Sequence, residues 1–269
     1  MDFLIRAEEL KRALLDPQTL VLDTRPAADY AKGHIRGAVS FSTYEVFALD
    51  TRRGGLAAFA HEIAAGYASV GVTRERPVVV YEEDNGMRAA RELWMLQWLG
   101  CRNARMLDGG LAAWRAAGGA LGESAAHGTT VVFRVRPRPE LVIGCDEIAR
   151  DLGRPGRVLL DVRNAAEHAG RDDTRCCYRR GHIPGSVWIE WTEFLEGGRF
   201  KPAAAIRALL ESRGVDPTAE IVPYCHRGAR SANVYFALKL AGIENVRNYI
   251  GSWHEWSARP DLPIAGARA

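Results

Sequence analysis

The sequence predicts an α/β protein made of two similar domains, each a mainly parallel sheet covered by helices on both faces. Three observations carry that expectation. The two halves of the 269-residue chain repeat each other at several places in the same order. Each half contains short, uninterrupted apolar runs, the pattern of strands buried on both faces. Segments of helical periodicity alternate with those runs, and a parallel sheet needs such crossovers.

Taken in order, Ile5-Arg-Ala-Glu-Glu-Leu10 matches Ile143-Gly-Cys-Asp-Glu-Ile148, an amphipathic helix start in each half. Val21-Leu-Asp-Thr-Arg25 matches Leu159-Leu-Asp-Val-Arg163, and Gly33-His-Ile-Arg-Gly-Ala38 matches Gly181-His-Ile-Pro-Gly-Ser186. The second copy carries an insertion within Ala169 to Arg180. Pro77–Tyr81 then matches Glu220–Tyr224, and Asn103 to Trp114 matches Asn245 to Trp256. The runs Leu20–Leu22, Val78–Val80, Val158–Leu160 and Ile221–Val222 are the expected strands. Helices are expected over Ala89–Leu99 and Ala232–Ala241, ending at Gly100 and Gly242. The stretch Gly122 to Glu140, with two prolines among Ser, Gly, His and Arg, reads as a connector. The expected domains are therefore 1–122 and 140–269, with a linker at 123–139.

Composition narrows the function. Lys plus Arg number 36 against 33 Asp plus Glu, a net charge of +3, too even for a nucleic-acid footprint. No apolar run approaches the length of a membrane span, and the N-terminal MDFLIRAEELKRALLD does not read as a presequence. The five cysteines, Cys101, Cys145, Cys176, Cys177 and Cys225, form no CxxC pair, so no zinc site is expected. Free thiols in a reducing, cytoplasmic compartment are the better reading. Neither a metal nor an organic cofactor is implied. Cys101 and Cys145 read as packing residues. Cys176 and Cys177 lie in the Arg/Asp-rich insertion and read as incidental thiols of a solvated loop, with an exposed redox pair as the alternative.

Cys225 stands apart. It follows a strand directly and opens Cys225-His-Arg-Gly-Ala-Arg230-Ser231, which runs into a helix. Open α/β sheets bind ligands at strand carboxyl ends, and a helix N-terminus adds inward N–H groups and partial positive charge. His226, Arg227 and Arg230 add potential cations. Such surroundings favour a nucleophilic thiolate and an anionic substrate. The first copy has Glu82-Glu-Asp-Asn-Gly-Met-Arg88 at the same place, with Glu82 where Cys225 stands. A carboxylate there is no thiol nucleophile, and the three acids Glu82, Glu83 and Asp84 would repel an anionic substrate, so the first domain is expected to be inactive and to wall a cleft.

At these residues the chain resembles the tandem-domain rhodanese family, the thiosulfate and mercaptopyruvate sulfurtransferases. The resemblance spans nearly the whole chain. It rests on Asp23/Arg25 and Asp161/Arg163, the Gly-His-Ile turns, the Cys-x4-Arg loop, and Asn248-Tyr-Ile-Gly-Ser-Trp253. It implies that Cys225 takes sulfur from a small anionic donor as a persulfide and passes it to a thiol, a protein thiol or cyanide, by ping-pong kinetics. His226, Arg227, Gly228, Ala229, Arg230 and Trp253 are the implied substrate-binding residues. Trp253 reads equally as packing. Related phosphatases resemble Cys-x5-Arg, a larger cradle, whereas the shorter loop here suits a single sulfur.

Mercaptopyruvate enzymes resemble Cys-Gly-Ser-Gly, whereas this chain has Arg227, which points to thiosulfate. The family commonly places a donor-binding Arg where this chain has Glu167. Arg179 and Arg180 are the candidates to replace that cation. A protein-fed sulfur relay is a further alternative. Recurring in both halves, His34 and His182 read as turn hydrogen-bonding residues, Asp23 and Asp161 as loop organisers, and Arg25 and Arg163 as partners of acids. Arg88 and Arg91 read as exposed helix cations, with a place facing the cleft as the alternative, and Trp94 to Trp98 as core.

Overall fold

A computed structural model describes residues 3–172 and 177–266, so Cys176 lies outside the described residues. The chain divides into two compact units. The first comprises Met1–Val46, Phe59–Arg138 and Gly197–Arg199, and the second Phe47–Ala58, Pro139–Glu196 and Phe200–Ala269.

The first unit is built on a five-stranded sheet in the order Leu4–Ile5, Ala104–Leu107, Val78–Tyr81, Leu20–Asp23, Val39–Ser40. Every neighbouring pair is parallel. The central strands Leu20–Asp23 and Val78–Tyr81 are buried at every residue, which explains their unbroken apolar runs. The Met87–Trp98 helix packs Trp94 and Trp98 into the core, their rings stacked 5.7 Å apart. Arg91 departs from expectation. It is 1% exposed, and its guanidinium donates to the Thr43 carbonyl and hydroxyl and to the Val46 carbonyl. Three fixed oxygens replace the water an exposed arginine would use. Arg88 lies over the Tyr44 ring, 3.8 Å from its centre.

The second unit repeats the plan with shorter edges. Glu220–Tyr224, Arg157–Asp161 and Val187–Trp188 form a parallel sheet in that order. Parallel bridges Ile221↔Val246 and Val142↔Asn248 stand where the first unit has full outer strands. Tyr224 pairs with Asp161, as Tyr81 pairs with Asp23. The Ala229–Leu240 helix begins three residues before the expected Ala232 and so takes in Ala229 and Arg230. Cys101 and Cys145 are fully buried, and burial pushes both thiols up to about 12, as inert packing residues require. No helix among the described residues is long and apolar enough to cross a membrane.

Candidate active site

The Glu220–Tyr224 strand pairs with Arg157–Asp161 on one side and meets the Val246 bridge on the other, and Cys225 is the next residue. Three residues of turn then lead into the Ala229–Leu240 helix. Gly228 makes that turn at φ +88°, and a Cβ there would lie 2.3 Å from Ile250 Cδ1, so only glycine fits. The turn aims the Gly228 N–H at Cys225 Sγ, 3.1 Å away. Ser231 Oγ, in the first helical turn, lies 3.7 Å from the same sulfur. Both groups face a sulfur that is 1% exposed, where a negative charge would meet fixed dipoles in place of water.

The Asn248–Trp253 segment holds this loop from the other side. Cys225 N–H donates to Ser252 Oγ at 3.1 Å, and Trp253 N–H donates to the Cys225 carbonyl at 2.9 Å. Ser252 is the one non-glycine residue among those described with a left-handed backbone, φ +54°. Its repeat counterpart, Gly110, has φ +56°. A side chain in that conformation costs about 1 kcal/mol. The second copy keeps it where the hydroxyl supports Cys225 and lies 3.9 Å from Sγ.

Charge around the loop differs from the expectation of three cations. Arg230 forms a two-point ion pair with Glu167, 2.6 and 2.8 Å. Glu167 is itself fixed by a reciprocal cap with Asn164. Burial disfavours the charge on both partners, yet the pair lowers the Glu167 carboxyl and raises the Arg230 guanidinium. Burial and the neighbouring Arg227 push His226 down to about 4, so it is neutral at pH 7. His254, whose N–H donates to the His226 carbonyl, is lowered by the same two causes. Arg227 is the loop arginine without a carboxylate partner among the described residues. Its guanidinium carbon lies 4.1 Å from the Phe47 ring centre, and its buried Nε has no hydrogen-bond partner.

Arg179 does not supply the missing cation. Its guanidinium donates to the carbonyls of Trp256, Ser257, Arg259 and Leu262, a structural clamp. Arg180 lines a small cleft with Arg163, Glu167 and Trp253. Trp253 is 2% exposed and belongs to the core, with the Arg163 guanidinium 4.7 Å over its ring. Ala229 is buried and offers backbone alone.

Beneath the loop, Asp161 receives Arg163 at 2.9 and 2.6 Å, His168 Nδ1 at 2.9 Å and the Tyr224 hydroxyl at 3.0 Å. Asp23, Arg25 and Tyr81 repeat this in the first unit. His34 Nδ1 donates to the Tyr30 carbonyl, and His182 Nδ1 to the His168 carbonyl. These recurring residues organise loops, as their duplication suggests.

Comparison with known proteins supplies the family. The rhodanese-like domain model matches residues 6–117 and again 145–259. The chain belongs to the rhodanese family. It is 35% identical over 280 residues to a probable 3-mercaptopyruvate sulfurtransferase of Pseudomonas aeruginosa, covering 97% of each. It is 30% identical over 267 residues to the thiosulfate sulfurtransferase of Azotobacter vinelandii, covering 98% of this chain and 97% of the relative. The crystal structure of the Escherichia coli 3-mercaptopyruvate sulfotransferase SseA superposes with a TM-score of 0.79 at 28% identity, over 94% of this chain and 99% of that one.

The other rhodanese unit fills its loop with its own anion. The Glu82 carboxylate accepts the Ala89 N–H at 2.9 Å, at the start of the Met87–Trp98 helix. Glu83 is not free to repel an anion, because Arg25 and Arg115 both meet it. Burial raises Glu82 to about 7, against the opposing help of its backbone donors. A carboxyl raised in the folded state contributes most below its unfolded value near 4.3 and loses that contribution as pH rises through about 7. Glu82→Gln is therefore expected to stabilise the protein at pH 8 by about 1–2 kcal/mol, to change nothing at pH 4, and to leave sulfur transfer intact. Thermal melts at both pH values, beside an activity assay, check this.

Proposed function

We propose that this rhodanese moves the outer sulfur of thiosulfate to a thiol acceptor through a persulfide on Cys225. The observation that carries the reading is Arg227, two residues beyond the nucleophile, oriented by an aromatic ring and without a carboxylate partner among the described residues. In the first half-reaction the Cys225 thiolate attacks the outer sulfur. The S–S bond of thiosulfate breaks, sulfite leaves with the electron pair, and Cys225 carries the sulfur as a persulfide. In the second, an acceptor thiolate or cyanide attacks that outer sulfur and Cys225 departs as a thiolate. The Gly228 N–H and the Ser231 hydroxyl face the sulfur whose charge changes in both steps.

One observation favours 3-mercaptopyruvate as the donor instead. With Arg230 bound to Glu167 and His226 neutral, the loop presents one cation unpaired among the described residues, which matches a single carboxylate. The two readings separate in steady-state transfer to cyanide. Thiosulfate is expected to give the higher kcat/KM, and Arg227→Gln to lower it by about tenfold or more, the size of one charge-assisted contact. A higher kcat/KM with mercaptopyruvate would replace the first reading with the second. Failure with both donors would point to a partner protein as the source of sulfur.

A further inference from the structure

The second unit includes Phe47–Ala58, a segment that comes from the first half of the sequence. Its anchor is Thr51, which is buried. Thr51 N–H and Oγ1–H donate to the two oxygens of Glu255 at 2.6 and 2.7 Å, and Cys145 N–H donates to Thr51 Oγ1 at 2.8 Å. Glu255 is 4% exposed and lies on the Ser252–Ala258 helix. Ser252 and Trp253 of that helix also hold the Cys225 backbone. One short helix thus fixes both the nucleophile and the segment that carries Phe47.

An arginine that receives an anionic donor must be oriented and must keep its charge. A carboxylate orients a guanidinium but cancels its charge, as Glu167 does to Arg230. An aromatic face orients it through the ring quadrupole and leaves the charge whole. Phe47 is in that position, with the Arg227 guanidinium carbon 4.1 Å from its ring centre. The buried Arg227 Nε has no hydrogen bond to do the same work. We infer that Phe47 is a positioning residue that presents Arg227 to the anionic group of the donor, and so sets donor affinity from outside the nucleophile loop. The inference rests on the reading that Arg227 receives the donor.

The test is a double-mutant cycle in the full-length protein: wild type, Phe47→Leu, Arg227→Gln and the double variant, each with thiosulfate and with 3-mercaptopyruvate. Phe47→Leu keeps apolar bulk and removes the quadrupole. It is expected to raise the donor KM roughly fivefold, the size of one such contact, with kcat nearly unchanged. In the Arg227→Gln background it should raise KM no further, and Phe47→Trp should keep the wild-type value. Thr51→Val, which releases the anchor, should raise KM in the same Arg227-dependent way and serves if Phe47→Leu folds poorly. Equal effects of Phe47→Leu with and without Arg227 would mean structural packing and would overturn the inference alone. An Arg227→Gln protein with unchanged KM for both donors would overturn the donor-site reading and the inference with it. If mercaptopyruvate alone is turned over, the thiosulfate reading falls and the cycle is decided on the mercaptopyruvate KM.

Discussion

Cys225→Ser is expected to fold like the wild type and to transfer no sulfur, a loss of at least about three orders of magnitude. The substitution is nearly isosteric in a site that is 1% exposed. A hydroxyl oxygen still accepts the Gly228 N–H, so the turn keeps its bond and the melting temperature should change little. What disappears is the chemistry. A serine hydroxyl is not ionised near neutral pH and does not hold sulfane sulfur, whereas a thiolate attacks it and later leaves. Two measurements check the claim: sulfite release on mixing with thiosulfate, and the gain of one sulfur atom by mass spectrometry. Both should occur in the wild type and fail in the variant. Turnover retained by a Cys225→Ser protein would remove Cys225 from the reaction and with it the persulfide mechanism.

The fold was legible because duplication turns a weak signal into a tested one. A single Asp-x-Arg after an apolar run says little, but its return at Asp161 and Arg163 beside a second Gly-His-Ile turn fixes the order of the strands. Cys225 was singled out for the same reason, since the matching place in the first copy holds Glu82 and not a thiol. The loop's electrostatics were not legible, because they depend on which side chains meet across the fold. Glu167 lies far from Arg230 in sequence, and their pairing removes a cation that composition alone assigns to the donor. Phe47 sits in the first half of the chain and carries no local sign that it faces Arg227. Ser252 did carry one. The repeat aligns it with Gly110, and a serine where the other copy uses a left-handed glycine marks a backbone held under strain for a reason.

Asp161→Asn is expected to destabilise the protein by about 3–5 kcal/mol, the usual consequence of stranding a buried charge. Asp161 is fully buried and Arg163 is 1% exposed. The amide keeps the shape of the carboxylate but loses its charge, and one of its two oxygens becomes a donor facing the donors of Arg163, His168 or Tyr224. At 2–4 °C per kcal/mol for a chain of this size, the melting temperature should fall by roughly 10 °C. The pH dependence gives a second signature. Burial opposes ionisation of Asp161, but His168 and Arg163 hold it down at about 2. A depressed carboxyl contributes stability above its unfolded value near 3.9 and loses it as pH falls through about 2. The gap between wild type and Asp161→Asn should therefore stay level from pH 7 to about 5 and narrow below about 4. Because Asp161 organises the loop and touches no reacting atom, the activity of the fraction still folded at low temperature should fall only a few-fold. A stable Asp161→Asn protein without activity would give this carboxylate a direct part in the reaction, and a level gap down to pH 2 would mean that its charge is not what holds Arg163.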